Sequence, residues 1–283
     1  MMIVDSQVHI WAADTPERPW PPGQAARAHQ PVPLTAESLL EKMDAAGVAR
    51  AILVPPSWEG GRNDVVLAAA HRYPGRFAVM GRLSLKAPKS CDELLSLTRI
   101  DGMRGLRFTF HTEEQQEFLT HGAADWLWPA AAAARVPLMV HVPHSLQLID
   151  SIAARYPDLR LIIDHLGLVR PKVDHEAFAH LSKLLALARR PNIAVKASAV
   201  ADYSGELYPF PILHGYLRQV FDAFGPKRMF WGSDLTRARH PYRQMITLFT
   251  EELPWLGEDD KAWIMGRGLC EWLNWPMNGS AKT

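Results

Sequence analysis

An α/β chain folded as a single (β/α)8 TIM barrel, with a Pro-rich loop after the first strand, is what this sequence predicts, on three observations. Eight short apolar, β-branched segments alternate with helix-forming stretches. Pro or Gly, often beside a basic residue, punctuates the passage from helix to strand, as in Arg72-Tyr73-Pro74-Gly75-Arg76 and Phe224-Gly225-Pro226-Lys227. Several of the apolar segments end in ionisable residues, among them Leu138-Met139-Val140-His141, Leu161-Ile162-Ile163-Asp164-His165 and Trp231-Gly232-Ser233-Asp234. Strict alternation implies a parallel sheet with right-handed crossovers. Eight units favour closure, and 283 residues suit a barrel of about 250. The alternative, an open doubly wound sheet, lacks a Gly-rich phosphate turn after its first strand.

In chain order, strands are expected at 3–10, 51–54, 77–80, 103–108, 138–142, 161–163, 193–195 and 229–231. Continuous apolar runs of this length fit strands covered on both faces. Between the first two, residues 36–46 place Leu39, Leu40, Met43 and Ala46 on one helical stripe. The stretch from Thr15 to Pro33 breaks the rhythm, with Pro16, Pro19, Pro21, Pro22, Pro31 and Pro33 near Trp11 and Trp20. Proline at this density blocks a regular helix and stiffens an extended loop. Following the first strand, it should lie over the catalytic rim, either as a semi-rigid wall of a substrate pocket or as surface decoration. No linker divides the chain, so 1–283 reads as one domain with a short polar tail beyond Trp275.

Bulk properties narrow the function. Apolar residues make up 48% of the chain, enough for a large core. A formal net charge of +1 gives no field for nucleic acid or an anionic membrane. Cys91 and Cys270 alone make no disulfide framework, and a reducing, cytoplasmic location fits. No opening basic segment precedes an apolar stretch, and no run approaches the ~20 residues of a membrane span. The expected partner is a small-molecule substrate. A homo-oligomer stays open, because Trp255, Trp263, Trp272 and Trp275 could pack on the barrel or on another subunit.

Ionisable side chains at the ends of buried strands point into one shared cavity. His9, His141, His165 and Asp234 fall at the first, fifth, sixth and eighth ends, and barrel closure makes His9 and Asp234 neighbours. Imidazole and carboxylate together can ligate a divalent metal, or hold a water and take its proton. A lone buried His is usually structural; four at strand ends with matching chemistry argue for a site.

These residues resemble the amidohydrolase superfamily, specifically its metal-dependent barrel hydrolases and lactonases. The resemblance rests on Ile3-Val4-Asp5-Ser6-Gln7-Val8-His9-Ile10-Trp11, Asp44-Ala45-Ala46-Gly47-Val48, Gly102-Met103-Arg104-Gly105-Leu106-Arg107-Phe108, Asp164-His165-Leu166-Gly167 and Trp231-Gly232-Ser233-Asp234. It implies that His9, His141 and Asp234 bind metal, zinc or manganese, while His165 orients water or substrate. It also admits a metal-independent version with Asp234 as general base. The family expects a histidine where this chain has Gln7. A glutamine carbonyl is a neutral and weaker ligand than imidazole. A weakened metal site, a metal-free site and an inactive centre are all left open, as is a glutamine that bonds substrate.

Around this centre, Arg107 is expected to clamp a substrate carboxylate, or to form a buried salt bridge. By strand alternation only one of Arg104 and Arg107 faces the interior. Arg82, Lys196 and His111 end strands and add positive charge, Lys196 equally as a structural ion-pair partner. His144, just past the fifth strand, offers a second imidazole or a helix start. Trp58 and Tyr203 are loop candidates for substrate contact, with Ser57, Arg237 and His240 behind them. No cysteine nucleophile or Gly-x-Ser-x-Gly elbow is present, so activated water is the natural nucleophile. The expected reaction is lactone hydrolysis with Asp234, His165 and Arg107 as catalytic residues. The alternatives are nonoxidative decarboxylation and an inert ligand-binding barrel.

Overall fold

The computed structural model describes residues 1–30, 32–85 and 91–277; Pro31 and the tail after Met277 lie outside them. Eight parallel strands run in sequence order around a nearly closed barrel. They are β1 (Val4–Val8), β2 (Arg50–Leu53), β3 (Phe77–Gly81), β4 (Met103–Thr109), β5 (Leu138–His141), β6 (Leu161–Ile163), β7 (Ile193–Ser198) and β8 (Met229–Gly232). Each lies within two residues of the expected span at either end, apart from β7. That strand runs three residues further, while β1 stops two residues short at its C-terminal end. The expected helix is found at Ala36–Ala46, where Thr35 accepts from the Ser38 amide and Gly47 ends it at a φ of 76°.

The barrel separates two apolar layers. Outward residues such as Val8, Ala51, Val79, Leu106, Val140, Ile163, Val195 and Trp231 pack under the helices. Inward residues Val4, Ile52, Ala78, Met80, Met139, Ile162, Ala194 and Phe230 fill the lower interior, closed below by Leu269, Cys270, Leu273 and Trp275. Trp263 and Trp275 are buried, while Trp255 packs at a tilt against Phe221 and Trp272 edge-on to Phe230, so all four make contacts within the chain.

Closure brings β8 against β1. The Asp234 amide donates to Gln7 O at 3.0 Å, and the Ser233 amide to Asp5 Oδ1 at 2.9 Å. Gly232 is required there: a Cβ would fall 2.3 Å from Ser6 Oγ. In β1 the register with β2 shifts between Asp5 and Val8. Such a bulge re-aims side chains; with Val4 inward and Val8 outward, it is what turns Gln7 and His9 into the barrel. The described residues of the 15–33 stretch cross the rim as expected. Trp20 packs on Trp58, Arg18 bonds Glu59 at 2.8 Å, and His29 reaches Thr236 beyond β8 at 3.0 Å.

Candidate active site

Three strands end in a residue of left-handed backbone at the rim: His165 after β6, Ala199 after β7 and Asp234 after β8, with φ of 52°, 56° and 52°. That conformation costs an L-residue on the order of 1–2 kcal/mol, and it throws each chain sharply out of its strand. Strain of this kind concentrates at functional sites. The turned side chains of His165 and Asp234 line a cavity of about 290 Å³.

Of the residues nominated from sequence, Gln7, His9, Arg107, His111, His141, His165, Tyr203 and Asp234 meet in this cavity, together with Ser57 and Arg237. Arg82, Lys196 and Trp58 are not in its wall. Trp58 is drawn away by packing against Trp11 and Trp20. Lys196 is fully buried beneath the floor. Arg82 sits behind Thr109, with Nε donating to Pro55 O at 2.8 Å. His240 lies against Phe210 and 3.9 Å from Asp202, and His144 is exposed before helix Leu146–Arg155. Arg104 points to the opposite end, where it reaches Asn274 O. His29, Thr109 and Arg170 also line the cavity and were not singled out from sequence. His29 carried one signal: an imidazole inside a loop rigid enough to hold it over the rim.

Arg107 forms the buried salt bridge that was one of the two readings made of it. Its Nε donates to Asp164 Oδ2 at 2.6 Å, while the guanidinium still borders the cavity. Lys196 Nζ sits 2.7 Å from Asp164 Oδ1. Burial would raise the Asp164 carboxyl, but Lys196 and Arg107 hold it below the usual carboxylate range. Arg82, buried and beside Arg107, is pushed down to about 9.

The tautomers follow from a donor that cannot accept. Lys196 Nζ donates to Gln7 Oε1, which fixes the Gln7 amide with its NH2 toward the rim. That NH2 lies 3.3 Å from His9 Nε2 and 3.2 Å from His165 Nε2, so both ring nitrogens accept. His9 Nδ1–H then donates to Val54 O at 2.7 Å, and His165 Nδ1–H to Ser198 Oγ at 2.8 Å. Burial pushes His9 down, His165 to about 4 and His141 well below its ordinary value, so all three rings are neutral. His29 is driven to about 3, again chiefly by burial.

Asp234 Oδ1 stands 3.2 Å from His9 Nε2, a nitrogen with no proton to give. It is buried without a hydrogen-bond partner among the described residues. Burial alone would raise this carboxyl; in acid the rings of His9, then His165 and His29, take up protons before it does, and their charge then holds it well below the usual range. It is therefore an ionised acceptor facing the cavity.

As placed, these donors do not fit a divalent ion. A metal needs lone pairs converging on one point. Here the Gln7 oxygen is turned to Lys196 and its N–H groups point at His9 and His165, while His141 Nε2 donates to Leu168 O at 3.2 Å. Among the described residues, no three His, Cys, Asp or Glu side chains group so as to hold a metal.

The sequence profile described as amidohydrolase matches residues 4–268. An L-fucono-1,5-lactonase of Burkholderia ambifaria is 26% identical over 282 residues, covering 94% of this chain and 93% of that protein. A zinc-bound amidohydrolase structure from Burkholderia multivorans superposes with a TM-score of 0.77 at 23% identity, over 98% and 100% of the two chains. A manganese-bound 5-carboxyvanillate decarboxylase from Novosphingobium aromaticivorans gives 0.70 at 17% identity, over 96% and 97%. No helix among the described residues is long and apolar enough to cross a membrane. The barrel, its rim chemistry and a profile spanning nearly the whole sequence agree: this chain belongs to the amidohydrolase family and is an enzyme of that hydrolase family.

Proposed function

We propose that this enzyme opens a lactone of a small polyhydroxylated or anionic acid by attack of water, with Asp234 as general base. One observation carries the reading: Asp234 Oδ1 is ionised, buried and without a donor, in a cavity just large enough for a small substrate. A water placed against Oδ1 gives up its proton there while its oxygen adds to the lactone carbonyl carbon. The tetrahedral oxyanion collapses, the ring C–O bond breaks, and the proton passes from Asp234 to the departing ring oxygen, leaving a hydroxy acid.

The remaining wall suits that reaction. Arg107, Arg170 and Arg237 border the cavity, so developing negative charge meets guanidinium donors in a partly dry site. Arg107 is the foremost of these, since its bond to Asp164 fixes the plane of its free edge. Burial drives the Tyr203 hydroxyl to about 12, which keeps it a donor at any working pH. With both ring nitrogens of His165 engaged, its part is to hold the Gln7 amide rather than to shuttle protons. Divalent metal, expected from the family, supplies a Lewis acid in relatives that bind it. Similarity to a lactonase favours the cyclic ester over the decarboxylation alternative.

The test is a panel of sugar-acid 1,5-lactones and carboxylated lactones, followed by acid release in isotopically labelled water. Ring opening with label in the new carboxylate is expected. Carbon dioxide release from unsaturated or aromatic acids, without lactone turnover, would replace the reading with decarboxylation. Binding without any turnover would leave an inert barrel.

A further inference from the structure

We propose that Gln7 and Lys196 together take the place of the divalent ion, so that this centre is built to operate without one. The Gln7 NH2 engages the lone pairs of both imidazoles, 3.3 Å from His9 Nε2 and 3.2 Å from His165 Nε2, so neither is free for a cation. A glutamine amide could rotate and offer its oxygen instead, but the Lys196 ammonium holds that oxygen from below. Lys196 is itself fixed, fully buried between Asp164 and Gln7, with Met139 Sδ at 3.4 Å. Its positive charge adds a second obstacle: a divalent ion on Gln7 would sit close to an ammonium in a low-dielectric interior.

The pair reproduces two services of a metal by other means. The NH2 fixes the orientation and tautomer of both rings, as a shared metal would. The ammonium, bonded to Gln7 Oε1, polarises the amide and strengthens its N–H donors. What it does not reproduce is Lewis-acid activation of water, and the unpartnered Asp234 Oδ1 is the group left to act on water directly. The arrangement is a property of this chain's own residues, because a histidine at position 7 would present a lone pair where Gln7 presents two donors.

The inference rests on this cavity being the hydrolytic centre, yet its test counts metal rather than product, so the two can fail separately. The wild-type enzyme, incubated with zinc or with manganese and desalted, is analysed for bound metal by plasma mass spectrometry. Substoichiometric metal is expected, and ring-nitrogen resonances of 15N-histidine-labelled protein should not move as zinc is added. The double variant Gln7→His/Lys196→Met should gain zinc in a 1:1 ratio, and adding His9→Ala should abolish the gain. Stoichiometric zinc or manganese in the wild type, lost on His9→Ala, would overturn the proposal whatever the double variant does. So would a zinc-induced shift of the His9 and His165 ring nitrogens.

Discussion

The lower and upper halves of the barrel interior are built by the same strands and obey opposite rules. Below, Val4, Ala78, Met139, Ile162, Ala194 and Phe230 form a dry hydrocarbon plug. Above, one pleat further along, stand Arg82 after Met80, Arg107 after Gly105, His141 after Met139, Asp164 after Ile162 and Lys196 after Ala194. Inward positions recur every two residues, so each row changes from apolar to ionisable in a single step. The difference shows where such a barrel can hold charge. Buried charge is tolerated where partners converge, as Lys196 and Arg107 do on Asp164. Asp5, wholly buried with no cation beside it among the described residues, accepts from the Gln7 and Ser233 amides and from Tyr242 OH at 2.7 Å, and burial still pushes its carboxyl up. Asp234 Oδ1 departs from that rule at the cavity itself, and an unsatisfied polar atom in a cavity wall is where function is to be sought.

If the upper half is for chemistry and the lower half for stability, substitutions should divide accordingly. Asp234→Asn should lower turnover by roughly 10²–10⁴ while the folded state survives. Steady-state rates beside thermal unfolding check this, and near-normal rates would remove Asp234 from the mechanism. Leu269→Ala, in the plug at 1% exposure, should instead cost about 2–5 kcal/mol of stability with little change in rate per folded molecule. A comparable fall in rate would show that the halves are coupled.

Acid gives an intermediate effect that belongs to the upper half alone. His165 falls from 6.5 unfolded to about 4 folded, so the unfolded chain binds its proton first as pH drops. Stability is then complete above 6.5 and declines through the interval down to about 4, by about 3 kcal/mol for this residue. His29, at about 3, works in the same sense. Denaturant midpoints across that interval test the sign, and a rise on acidification would contradict neutral buried rings. The smallest change, Ile162→Val in the lower row, should cost about 0.5–1.5 kcal/mol and leave the acid profile unaltered.

Much of this division was legible beforehand, for a local reason. Strand runs, their two-residue alternation and the punctuating Pro and Gly are properties of neighbouring residues, and closure then made His9 and Asp234 adjacent. What escaped depends on contacts across the barrel. Regular alternation puts Val4 and Val8 on one face, and only the register shift against β2 sends Gln7 and His9 inward. Trp58 read as a cavity residue until packing by Trp11 and Trp20 removed it, and of the two readings of Lys196 the Asp164 carboxylate selected the ion pair below the floor. His29 belongs to the site because the loop carries it to Thr236, a partner far along the chain.

By itself, the sequence determined the eight-unit barrel, the rim as the reactive end and the imidazole and carboxylate groups gathered there, because periodicity and chain order fix which side chains share an interior. The protonation pattern of that centre was decided only in three dimensions. Whether Gln7 presents its oxygen or its NH2 depends on one buried ammonium, and whether Asp234 keeps a free lone pair depends on which tautomer the Val54 carbonyl selects in His9. A hydrogen bond has direction, and direction exists only once the strands are assembled.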